Sequence, residues 1–152
     1  MNTENIDLLQ KIALFKNSTR EELEIVIGLF QERQMKPGAV IFTEQMPAET
    51  LSIVKSGSVR ITMMAGEGEE VSLLLLGPGD FFGELALLHE ENRLVAAKAE
   101  SAVDLLVLTR KDFQALLDLD PRSAAKISLA ITKLLAMRIK QYTAQLKDLL
   151  LT

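Results

Sequence analysis

A chain of 152 residues with no cysteine and a single histidine, His89, excludes a disulfide framework, a thiolate site and the common zinc clusters. Its length suits one domain that buries its apolar surface without covalent staples. The net charge of −4 argues against direct nucleic-acid binding, and a polar, acidic start with no long apolar run argues against a signal peptide or membrane anchor, so a cytoplasmic setting is expected.

Ile6, Leu8, Leu9, Ile12 and Phe15 recur close to helical intervals and predict a helix over 3–15, interrupted at Lys16-Asn17-Ser18. Ser18 and Glu21 stand at capping-box spacing ahead of Leu23, Val26, Ile27 and Phe30, which predicts a second short helix. From Gln31 the period shortens. Runs rich in Val, Ile, Leu and Thr predict strands at 31–36, 40–43, 50–56, 58–64, 69–76, 94–100 and 103–109. Turn clusters such as Lys36-Pro37-Gly38, Ser56-Gly57-Ser58 and Gly77-Pro78-Gly79 separate them. Val59, Ile61 and Met63 alternate with Arg60 and Thr62, so that strand is expected to keep one face in water. The fold class is mainly β with flanking helices, a closed barrel or jelly roll.

The strand series is interrupted once, at Phe82 to Ala97. There Gly83 and Glu84 open one apolar helical turn, and a charged loop delivers Arg93 to the start of the next strand. Unpaired amides in a first helical turn attract an anion, and an arginine adds a forked, charge-assisted contact suited to phosphate. Glu84 repels phosphate but accepts well from a sugar hydroxyl beside it. The same residues also fit a short buried helix closed by a Glu84–Arg93 ion pair. His89, on a polar loop, reads as solvated.

Thr109 and Asp112 form another capping pair, ahead of Phe113, Leu116 and Leu117. Asp120-Pro121 then starts a last helix that runs to near the C-terminus, roughly 45 Å at 1.5 Å per residue. Ala124, Ile127, Ile131 and Leu134 are spaced to pack on the protein's own barrel. Leu135, Ile139, Tyr142, Leu146 and Leu149 step at heptad intervals, which predicts a homodimer through this helix, with self-packing as the alternative. Arg122, Lys126, Lys133, Arg138, Lys140 and Lys147 make the helix basic, fit either to dock an acidic protein effector or to be a solvated back.

Together these features resemble the cyclic nucleotide-binding domain family, which includes the catabolite activator protein and the regulatory subunits of cyclic-AMP-dependent protein kinase. The resemblance is carried by Lys36-Pro37-Gly38-Ala39-Val40-Ile41, by Ala48-Glu49-Thr50-Leu51 with Val54-Lys55-Ser56-Gly57-Ser58-Val59, and by Gly79-Asp80-Phe81-Phe82-Gly83-Glu84-Leu85-Ala86-Leu87-Leu88. Arg93 stands nine residues after Glu84, and Arg110-Lys111-Asp112-Phe113 precedes the last helix. The resemblance implies a β-roll, or double-stranded β-helix, with N-terminal helices and a long C-terminal helix. It implies one domain over 1–152: helices at 1–30, a β-roll at 31–109 with a phosphate-binding cassette at 82–97, and C-terminal helices at 110–152. The implied ligand is a 3′,5′-cyclic nucleotide, cyclic AMP ahead of cyclic GMP. Arg93 takes the cyclic phosphate, Glu84 the ribose 2′-hydroxyl, and the amides around Gly83, Leu85 and Leu94 complete the cradle.

This chain departs from the family at several points. Leu94 stands where a small Ala, Ser or Thr is usual, Asn92 where Pro is frequent, Gln45 where a turn glycine is usual and Ala96 where Thr is frequent. The base contact comes from the last helix in this family. Counting from Pro121 selects Arg138 and Ile139, whereas matching the apolar pattern selects Tyr142 and Thr143, which suit stacking and hydrogen bonding to a purine. The chain as read ends at Thr152, and no helix-turn-helix is expected in it. The expected function is a stand-alone sensor signalling through its last helix. The alternative is a ligand-free module of the same fold used for protein interaction or dimerisation. No metal is expected, and without a nucleophile and base pair beside Glu84 neither is enzymatic turnover.

Overall fold

The structure is a computed structural model that describes residues 3–151. It opens with helix α1 (Thr3–Gln10), a 3-10 turn (Ala13–Phe15) and helix α2 (Arg20–Ile27). The single helix expected over 3–15 is therefore broken. Ile12 takes extended backbone, and the tighter turn after it lets Ile12, Leu14 and Phe15 all reach the core, which a continuous helix would spread around its circumference. The capping box at α2 is also one residue later than the Ser18 and Glu21 spacing suggests. The Thr19 hydroxyl accepts from the Glu22 amide at 3.2 Å, and the Glu22 carboxylate accepts from the Thr19 amide at 2.8 Å.

Ten strands follow. These are β1 (Gln31–Met35), β2 (Val40–Phe42), β3 (Pro47–Ala48), β4 (Thr50–Ser56), β5 (Val59–Ala65), β6 (Glu69–Leu76), β7 (Phe81–Phe82), β8 (Glu91–Asn92), β9 (Ala96–Ala99) and β10 (Val103–Thr109). They pair antiparallel in two four-stranded sheets, β1-β10-β4-β7 and β2-β9-β5-β6, with β3 and β8 as a separate ribbon. The chain is thus mainly antiparallel β in a β-roll, flanked by N-terminal helices and a long C-terminal helix. The roll's interior holds Phe42, Val54, Val59, Ile61, Phe82, Leu105 and Val107. A second core lies between the β1-β10-β4-β7 sheet and the helices, where Leu51, Ile53, Leu106 and Leu108 meet Leu9, Phe15, Leu23, Phe113 and Ile127. Burial on both faces explains why β10 carries an unbroken apolar run over 105–108.

The simple alternation expected in β5 fails halfway. The pairing of β5 with β6 shifts register between Ile61 and Thr62, and beyond that bulge Thr62 is buried while Met63 faces out.

Helix α3 (Arg110–Leu119) is capped by the Thr109 hydroxyl, which accepts from the Asp112 amide at 3.0 Å. Asp120 caps helix α4 (Pro121–Leu151) in the same way, accepting from the Ser123 amide at 3.2 Å. Ala124, Ile127 and Ile131 of α4 are fully buried in the helix-side core. Leu135, read in the sequence as part of an outer seam, packs against that core instead. Beyond it Ile139, Tyr142 and Leu146 are exposed. No helix among the described residues is long and apolar enough to cross a membrane.

The proximal half of α4 is tied to α2 by Lys126, whose ammonium donates to Glu22 at 2.7 Å. That bond, with the Thr19 amide, holds the Glu22 carboxyl below its ordinary pKa of 4.5. A depressed carboxyl contributes stability that is present above pH 4.5 and lost as pH falls through the folded-state value. Glu22→Gln is therefore expected to cost about 0.5–1 kcal/mol at pH 7 and progressively less as the pH is lowered below 4.5. Urea melts at pH 7 and below pH 4.5 check this, and an equal loss at both would remove the ionic contribution.

Candidate functional site

The site is assembled where the 82–97 stretch meets α4. Gly83 follows β7 in the left-handed region, φ 81°, and starts a 3-10 turn at Glu84–Leu87. The turn buries Ala86 and Leu87, and with them the Glu84 carboxylate, which is 5% exposed. A Cβ on residue 83 would lie 2.6 Å from the Thr50 carbonyl oxygen and 2.7 Å from Nη1 of Arg93. The arginine therefore lies directly against the glycine.

Arg93 is placed by its backbone first. Its amide donates to the Met46 carbonyl at 2.7 Å, and its carbonyl accepts from the Gln45 amide at 2.8 Å. Gln45 is the one described non-glycine residue with positive φ, 70°, so the turn keeps a glycine-like backbone without glycine. The side chain is 7% exposed, with Nη2 donating to the Thr50 carbonyl at 3.1 Å and to its hydroxyl at 2.9 Å. The guanidinium carbon sits 4.0 Å from the centre of the Phe42 ring. Nε is buried without a partner, and no carboxylate lies within ion-pair distance of Arg93 among the described residues. Burial pushes the guanidinium pKa down, and the more distant Glu91 and Glu49 charges only partly oppose it.

The Glu84–Arg93 ion pair that the sequence also allowed does not form. Glu84 pairs with Arg138 of α4, whose Nη1 donates to Oε1. The α4 face that buries Ile127 and Ile131 continues at steps of three and four to Leu135, Arg138 and Tyr142, and both Arg138 and Tyr142 line the cavity. Each residue pair suggested by the sequence was adjacent, and neighbours on a helix point about 100° apart. One member of each pair therefore faces the site. Thr143 does not line it, and its hydroxyl donates to the Ile139 carbonyl at 2.8 Å, while Ile139 points to solvent.

The resulting cavity has a volume of about 400 Å³, within the usual range for a small-molecule site. One end is polar, with Arg93, Glu84 and Arg138, and the walls are apolar, with Leu74, Leu76, Phe81 and Leu85 among them. Leu94 does not fill the space. It lines the cavity while 75% exposed, as does Tyr142 at 63%. No group of His, Asp or Glu among the described residues is arranged to hold a metal ion. Thr50 and Phe42 were not legible as site residues, because they meet Arg93 only through the folding of the roll.

Residues 32–120 match the family described as "Cyclic nucleotide-binding domain". The chain is 36% identical over 137 residues to the "Cyclic AMP receptor protein" of Thermus thermophilus, a match covering 90% of this chain and 61% of that protein. It is 31% identical over 118 residues to a cGMP-dependent protein kinase of Caenorhabditis briggsae, covering 76% of this chain and 16% of the kinase. The crystal structure of Thermus thermophilus Catabolite Activator Protein superposes with a TM-score of 0.81 at 34% identity, covering 90% of this chain and 62% of that one. The chain thus spans about three fifths of the Thermus receptor's length.

Proposed function

Because this chain belongs to the cyclic nucleotide-binding domain family, we propose that its cavity takes a 3′,5′-cyclic nucleotide, cyclic AMP ahead of cyclic GMP, and that the protein is a regulatory module read through α4. The observation that carries this reading is Arg93, a buried cation held by neutral acceptors and a ring, with no carboxylate at ion-pair distance among the described residues. Such a group is costly until an anion joins it. A cyclic phosphate carries one negative charge and fits the polar end. Arg93 would grip it, with the amides around Gly83, Leu85 and Leu94 completing the cradle.

Glu84 would take the ribose 2′-hydroxyl while keeping Arg138, since a carboxylate has acceptor sites for both. Tyr142, which lines the cavity, would stack on the base, and Thr143 stays outside the contact set. Leu94 brings no hydroxyl to discriminate a guanine, which supports cyclic AMP. The names of the relatives include both a cyclic AMP receptor and a cGMP-dependent kinase.

Signalling would follow from the same contacts. Beyond Leu135, α4 reaches the cavity through Arg138 and Tyr142, so a ligand that engages Glu84 and Tyr142 would bias where the distal helix lies. The exposed Ile139, Tyr142 and Leu146 would meet a second copy of the chain, or a protein effector. Sedimentation that returns only the monomer mass removes the dimer from this reading.

Calorimetric titration with cyclic AMP, cyclic GMP and linear 5′-AMP tests the site. Cyclic AMP is expected to bind, and at about 100 times its Kd to raise the melting temperature by roughly 5–10 °C. Cyclic AMP should be recovered unchanged, and release of linear AMP would point to an enzyme. No binding at millimolar cyclic nucleotide would leave a ligand-free interaction module of the same fold.

A further inference from the structure

Arg110 is in an unfavourable place for a cation. It is the first residue of α3, where the helix dipole opposes positive charge, and it has no ion-pair partner among the described residues. Its guanidinium instead reaches back into the site's scaffold. One nitrogen, Nη1, donates to the Ala48 carbonyl at 2.9 Å and to the Ala86 carbonyl at 3.1 Å. Ala86 lies two residues after Glu84, in the same 3-10 turn. Ala48, in β3, is paired with Glu91 of β8, two residues before Arg93. The Arg110 amide donates to the Glu49 carbonyl at 2.8 Å, next to Thr50, which holds the Arg93 guanidinium.

We propose that Arg110 is a positioning residue: it fixes the limb that carries Glu84 relative to the limb that carries Arg93, so that both reach one cyclic nucleotide. This rests on the function proposed above. Nη1 is shared between the two carbonyls, so neither limb shifts without disturbing the other's bond. Because Arg110 begins α3, any such shift is also delivered to the start of the α3–α4 pair.

The test compares Arg110→Gln, Arg110→Lys and the parent by titration with cyclic AMP and 2′-deoxy cyclic AMP, and by amide hydrogen exchange without ligand. The parent is expected to prefer the ribose form by about tenfold through Glu84. In Arg110→Gln that preference should fall toward unity, because Glu84 is no longer held in register with Arg93, and lysine should restore part of it. Exchange should rise at 46–50 and at 83–88 together. Equal loss of affinity for both nucleotides, or faster exchange confined to α3, would overturn the proposal. If Arg110→Gln does not fold, Arg110→Lys carries both measurements. If the parent binds neither nucleotide the functional reading fails, and the exchange comparison still decides whether Arg110 clamps the two limbs.

Discussion

Arg93→Gln is expected to lower cyclic AMP affinity by about 100-fold or more, within the roughly 2–5 kcal/mol typical of removing one member of a buried charge pair. The sharper part of the prediction concerns the protein without ligand. Most substitutions at a residue only 7% exposed destabilise, but here the change removes a buried cation that no carboxylate touches and that Glu91 and Glu49 only partly offset from a distance. Glutamine can keep a donor on Thr50 and gives up the ring contact, worth about 0.5–2 kcal/mol. The relief from desolvation is several kcal/mol. The free variant should therefore be at least as stable as the parent, and the order should reverse in saturating cyclic AMP. Thermal melts with and without nucleotide decide it. A variant that is much less stable without ligand, with affinity unchanged, would make Arg93 a structural residue.

Much of the architecture was legible because apolar periodicity survives in it. The strands at 50–56, 69–76 and 103–109 match their predicted bounds, since each is rich in Val, Ile, Leu or Thr and is closed by turn residues or a cap. The Asp120-Pro121 start of α4 needed only local cap chemistry. What escaped was short or tertiary. β3, β7 and β8 have two residues each, too few to show a period. The bulge that turns Met63 outward depends on pairing with β6, and Ser18 and Thr19 offer equally good caps until Leu23 and Val26 must face the core.

The site divides in the same way. Gly83, Glu84 and Arg93 stand out from spacing, but the partner of each is remote: Glu84 meets Arg138 54 positions away, and Arg93 meets Thr50 43 positions away. The helix register that brings Arg138 and Tyr142 to the cavity extends the buried face of Ile127 and Ile131 through Leu135, which heptad spacing assigned to an outer seam instead.

Gly83→Ala should be a damaging single-methyl change at the centre of the site. At φ 81° an alanine pays about 1–2 kcal/mol for the left-handed backbone. Its Cβ would also lie 2.6 Å from the Thr50 carbonyl oxygen, an atom of β4 that cannot retreat without breaking the sheet, and 2.7 Å from the Arg93 guanidinium. Together these predict a loss of about 3 kcal/mol, or roughly 6–12 °C in melting temperature. Gly79→Ala is the control. Its φ is 90° but nothing lies within 4 Å of the added carbon, so only the backbone cost applies. Because part of the clash is with Arg93, Gly83→Ala and Arg93→Gln should be non-additive, with the double variant about 1 kcal/mol more stable than the sum of the two changes implies. Strict additivity of the two changes would mean that the guanidinium is not seated on Gly83, and the anion site would then need another geometry.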